Sequence, residues 1–72
     1  MKEIQYPING AKYKHYKGGI YQFLFMAKHT ETCEDLCVYK SITFGTNYVR
    51  PLTEWNKRVG IVEHMDRFKL IE

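Results

Sequence analysis

Lys40 breaks the one long apolar pattern in the chain. From Leu36 to Phe44, alternate positions read Leu36, Val38, Lys40, Ile42 and Phe44, so an ammonium stands where an aliphatic side chain is expected. A β-bulge could turn it outward, or its stem could snorkel to an edge, and these commoner arrangements weigh more. The alternative places Lys40 on the concave side of a fold, where a buried ammonium is costly unless an anion lies beside it. Arg50 raises the same question. It lies two residues from Tyr48, on one face of an extended segment, and its planar fork suits phosphate or carboxylate. Tyr16, Tyr39 and Tyr48 offer rings on which a base could stack. Together these residues outline recognition of an anionic small ligand such as a nucleotide, by charge-assisted hydrogen bonds and ring contacts.

A second cluster precedes them. Residues 11–17 interleave Lys12, Lys14 and Lys17 with Tyr13, His15 and Tyr16. Lysines that guard an edge strand against aggregation explain this, and that is the commoner cause. The sharper reading is a basic and aromatic surface for a nucleotide or a nucleic-acid single strand. His29, Glu31, Glu34 and Asp35 form an acidic spot that would suit acid–base catalysis if a nucleophile and a pocket accompanied it. Neither is visible, so a solvated turn is expected, and the chain is not expected to be an enzyme. Cys33 and Cys37 lack the further ligands that a zinc site requires, and no metal or cofactor is expected.

The elements that would position these residues follow from length and pattern. Seventy-two residues make one domain with a thin core, which buries about 60% of its unfolded surface. Six tyrosines and four phenylalanines exceed what such a core holds, so some rings are expected at a ligand face or a subunit interface. A homodimer or larger homo-oligomer is the expected assembly. The net charge of +3 permits an anionic partner without demanding one. No apolar run is long enough to span a membrane and the first ten residues do not read as a signal peptide, so the expected location is the cytoplasm.

Gly18 to Phe44 reads as one long hairpin, with a strand from Ile20 to Lys28, a polar reversal from His29 to Asp35 and a return strand from Leu36 to Phe44. Alternation groups Tyr21, Phe23, Phe25 and Ala27 on one face of the first strand. Ile20, Gln22, Leu24 and Met26 occupy the other. Both faces are largely apolar, so the second needs cover from a chain terminus or another subunit. Residues 1–10 form an arm or an added edge strand, since Pro7 cannot donate to a ladder. Tyr48 to Pro51 is a short strand, and residues 52–55 a single helical or 3₁₀ turn with Trp55 as a packing lid. Val59 to Met65 and Phe68 to Ile71 are the last strands. The expected fold is all-β, a small SH3-like antiparallel barrel of five to six strands over residues 11–72.

Four separated motifs carry a family resemblance. They are Lys14-His15-Tyr16-Lys17-Gly18-Gly19-Ile20-Tyr21, Ala27-Lys28-His29-Thr30-Glu31-Thr32, Val38-Tyr39-Lys40-Ser41 and Tyr48-Val49-Arg50-Pro51-Leu52, followed by Arg67-Phe68. Over about residues 11 to 72 the chain resembles a small bacterial and phage family catalogued as domain of unknown function 1653. Its pattern is Tyr-x-His-Tyr/Phe-Lys-Gly, Ala-x-His-Ser/Thr-Glu-Thr, Val-Tyr-Arg/Lys and Trp-Val-Arg-Pro-Leu. Tyr48 stands where that family usually has Trp, Cys37 where it has an aliphatic residue, and Trp55 near a usual Phe. The resemblance implies an SH3-like barrel and brings no activity. It marks His15, Lys17, His29, Glu31, Tyr39, Lys40 and Arg50 as candidates for a shared surface. In a phage, such a module could sequester a host signalling nucleotide; the alternative is a nucleic-acid- or protein-binding adaptor, supported by fold analogy.

Overall fold

The computed structural model describes residues 5–59 and 65–72. Its strands are β1 (Lys12–His15), β2 (Ile20–Lys28), β3 (Asp35–Ser41) and β4 (Asn47–Pro51), followed by a helical turn α1 (Leu52–Trp55). Three short strands follow, β5 (Arg58–Val59), β6 (Met65–Asp66) and β7 (Phe68–Leu70). Five strands make one antiparallel sheet in the order β4-β3-β2-β1-β7. Among the described residues its edges β4 and β7 do not pair with each other, so the sheet is open and the expected barrel closure is not found. Of the strand expected from Val59 to Met65, Val59 belongs to β5 and Met65 to β6, which pair with each other, and residues 60–64 lie outside the described part.

The long hairpin is β2–β3, and its geometry corrects the alternation. Pairing runs Tyr21↔Ser41 and Phe23↔Tyr39, then Phe25↔Val38 and Met26↔Cys37, which makes Leu24 an extra residue in β2. That β-bulge exchanges the faces on either side of it. Tyr21 and Phe23 therefore face the core together with Met26, while Phe25 turns to the opposite face and is 51% exposed. On β3 the core takes Cys37, Tyr39 and Ser41, all buried. The other alternation, Leu36, Val38 and Lys40, forms the open face. Lys40 is thus no charge inside a core: it stands in a row with Lys12, Gln22 and Asn47.

Two hairpin turns are closed by the two histidines of the motifs. The His15 Nδ1 accepts the Lys17 N–H at 3.2 Å and its carbonyl accepts the Gly18 N–H at 2.7 Å. Gly18 adopts φ +107°, open to glycine and strained for other residues. Gly19 lies so close to the Tyr21 ring that an added Cβ would stand 3.0 Å from it. At the far end the His29 Nδ1 accepts from the Glu31 and Thr32 N–H groups, at 3.1 and 3.3 Å. Cys33 completes that turn at φ +62°, held by its N–H to the His29 carbonyl at 2.9 Å.

The core is an aromatic layer on one side of the sheet. Ala11, Tyr13, Phe23, Cys37, Tyr39, Leu52, Trp55 and Phe68 are buried there, with Tyr21 and Met26 packed against them. Trp55 stacks on Phe68 at 3.9 Å between centroids and meets Tyr13, Phe23 and Tyr39 edge-on. Pro51 starts the turn that delivers Trp55, and the Asn56 side chain donates to the Leu52 carbonyl at 3.0 Å at its end. Residues 5–10 form an arm without strand pairing. Its Ile8 N–H donates to the Tyr13 hydroxyl, and its Gln5 backbone exchanges hydrogen bonds with the Asn56 side chain.

The two thiols differ sharply. Cys37 is fully buried, 3.9 Å from the Met26 sulfur, and burial pushes its thiol up to about 12. Cys33 is exposed. A thiol reagent at neutral pH is therefore expected to label one equivalent quickly and the second only on unfolding, since the thiolate is the reactive form. Two equivalents labelled quickly in the folded protein would contradict this packing.

Candidate functional site

The sheet's core face does not end at the buried layer. Toward the β1–β2 turn and the β4 edge it becomes an accessible surface of rings and cations. Tyr48 and Arg50 share this face of β4, as their spacing implies, because Tyr48 pairs with Tyr39 and Arg50 with Cys37. Tyr48 stacks on Tyr39 at 5.7 Å and meets Tyr21 edge-on at 6.1 Å while remaining 41% exposed. The Arg50 Nε donates to the Tyr39 hydroxyl at 3.1 Å, and the guanidinium lies 5.6 Å from the Phe68 ring centre. Among the described residues no carboxylate pairs with Arg50.

His15 borders the same layer. It meets Phe68 edge-on at 5.0 Å and Tyr21 at 6.2 Å. Tyr16 lies 4.6 Å from it, and the Lys17 ammonium is 5.8 Å from the Tyr16 ring centre. Burial first, and then Arg50, Arg67 and Lys17, hold the imidazole below its ordinary value of 6.5. Every described charge in that account is a cation. The fold therefore favours the neutral form of His15, and that contribution to stability is present above about pH 6.5 and lost as pH falls through the lowered value.

Arg67 extends the set. Its backbone carbonyl accepts the Tyr16 N–H at 2.9 Å, its Nη2 lies 4.0 Å from the Glu54 carboxylate, and its buried Nε has no hydrogen-bond partner among the described residues. The sequence pattern marks no site role for Arg67, Tyr21 or Phe68: Arg67 and Phe68 close the family pattern without a role attached to either. Tyr21 had no signal beyond its place in an aromatic run.

Of the residues singled out from sequence, the structure gathers His15, Tyr16, Lys17, Tyr39, Tyr48 and Arg50 around this face. It does not bring Lys40, His29 or Glu31 to it. Lys40 lies on the opposite side of the sheet, so the idea that it joins Arg50 around one anion is corrected. His29 and Glu31 belong to the distal β2–β3 turn, where His29 closes the loop through Nδ1. A groove of about 280 Å³ beneath the arm, between Tyr6, Tyr13, Trp55 and Asn56, shares Arg67 and Phe68 with this layer. Among the described residues no cluster of three or more His, Cys, Asp or Glu could hold a metal ion, and no helix is long and apolar enough to cross a membrane.

Sheet, helical turn and surface define a small all-β domain with a cationic, aromatic face at one end of an open antiparallel sheet. Residues 11–70 match the family described as protein of unknown function DUF1653, and the chain belongs to that family. No curated protein and no solved structure matches the chain.

Proposed function

We propose that this protein is a non-enzymatic binding module that holds an anionic small molecule with an aromatic part, such as a nucleotide, on the His15–Tyr48–Arg50 face. The Arg50 guanidinium, held by the Tyr39 hydroxyl and set against the Phe68 ring that His15 also meets, with the exposed Tyr48 stacked on Tyr39, carries this reading. Arg50 supplies the fork for phosphate, pre-oriented because Tyr39 fixes its Nε. Tyr48 offers exposed ring surface to a base. His15 takes up a proton when an anion offsets the surrounding positive charge, so binding and protonation reinforce each other. The order of elements, four strands in a meander and a helical turn before the last strands, also supports kinship with SH3-like domains.

Calorimetric titration with nucleoside phosphates tests the reading, preceded by native mass spectrometry of the protein as purified from cells. Affinity is expected to rise as the pH is lowered below about 6.5 toward the lowered value of His15, where an anion beside it favours proton uptake. Arg50→Ala is expected to lower affinity by about 10- to 100-fold, the usual loss for a hydrogen bond to a charged group. An Arg50→Ala protein that stays folded and binds as well as the parent would sink the proposal. Binding of oligonucleotides with a steep salt dependence, and none of nucleotides, would replace it with the nucleic-acid adaptor.

A further inference from the structure

The opposite side of the sheet is apolar, open and patterned in charge. Cross-strand partners point to the same side of a sheet, so the pairings define its rows. Phe25, Val38 and Val49 form one row and Ala27, Leu36 and Pro51 the next. Phe25 is 51% and Val49 59% exposed, so among the described residues nothing covers the centre of this face. Toward one end come Lys12, Gln22, Lys40 and Asn47, and beyond them Lys14 and Lys69. Glu72 pairs with Lys12 at 3.1 Å, and among the described residues no carboxylate pairs with Lys40. Toward the other end is the β2–β3 turn with Glu31 and Glu34, both exposed.

Along β3 and the residue before it, this alternation reads Glu34, Leu36, Val38, Lys40. It is complementary to its own reverse. If a second copy is laid on it with strands antiparallel and the twofold axis over Cys37, Leu36 covers Val38 and Glu34 covers Lys40. The charged residues lie three positions, or about 10 Å, either side of that axis. The alternative twofold axis, along the strands, would stack the lysine end on itself and is disfavoured by like charge.

We propose that the protein is a homodimer in which two copies stack back to back through this face, antiparallel, with Phe25, Leu36, Val38 and Val49 at the centre and Lys40 against Glu34 of the partner. The sheets interdigitate as in a β-sandwich. The twofold leaves the aromatic and cationic faces pointing outward on both sides, so the dimer does not depend on the ligand-binding proposal.

Sedimentation velocity over the micromolar range tests it. The parent chain is expected to dimerise with a dissociation constant raised by salt, and Val49→Glu to sediment as a monomer with an unchanged far-ultraviolet spectrum. Lys40→Glu is expected to weaken the dimer by about tenfold or more, and the added change Glu34→Lys to restore it. A parent chain that is monomeric throughout overturns the proposal. So does a dimer that Val49→Glu leaves intact, or a double variant no tighter than Lys40→Glu alone.

Discussion

Replacing Phe23 with alanine is expected to destabilise the fold by about 3–5 kcal/mol, the range for truncating a buried aromatic. Phe23 is completely buried, opposite Tyr39 in the sheet and edge-on to Trp55 at 5.7 Å, so its loss leaves a void that the surrounding rings cannot close. A chain of this length has about 4–11 kcal/mol in total, by the usual stability per residue. The variant should therefore be largely unfolded at warm temperatures, with a urea midpoint far below that of the parent. Phe25→Ala supplies the contrast. It removes the same atoms two positions away, but from the open face, and is expected to shift stability by at most about 1 kcal/mol, the common size of surface effects. Both are measured at concentrations where the chain is monomeric. Equal losses at the two positions would mean that they share a face, and that the bulge at Leu24 is not formed.

This pair also shows what the sequence conceals. The ends of β2 and the position of α1 are legible, because glycines, the proline and the aromatic run mark them locally. The bulge is not, since one extra residue leaves the composition of the strand unchanged while exchanging its two sides. The same limit explains Lys40. Hydropathy favours Leu36, Val38 and Ile42 as the inner set of β3, yet the core chose Cys37, Tyr39 and Ser41. Tyr39 can be buried because Arg50 satisfies its hydroxyl, and a layer built from rings gains more from another ring than from an aliphatic chain. Lys40 is then an ordinary outward residue of an unexpectedly apolar outer face. His15 and His29 illustrate a different ambiguity. Each looks chemical in sequence, and each proves to accept backbone N–H groups in a turn, though His15 also borders the aromatic face. Arg50 and Tyr48 were readable because a two-residue spacing on one strand survives whichever side is inward.

Trp55→Ala is expected to have the second large effect, about 3–5 kcal/mol by the same rule for buried aromatics, and its consequences should reach the candidate site. Trp55 is buried against four rings, and its parallel stack with Phe68 fixes the ring beside which both the Arg50 guanidinium and the His15 imidazole are placed. Trp55→Phe keeps a ring in that stack while losing volume, and is expected to cost roughly half as much, within the range seen for partial core truncation. The two variants should therefore separate packing from recognition. With Trp55→Phe, nucleoside phosphate affinity should remain within a few-fold of the parent, despite the lower melting temperature. With Trp55→Ala, any fraction that is still folded in the cold should bind weakly, because Phe68 loses its backing and Arg50 the ring at its side. If that folded fraction bound as tightly as the parent, Trp55 would be a core residue alone. The Phe68 contact would then be no part of how Arg50 is positioned, and the hydrogen bond to Tyr39 would be left as the group that orients it.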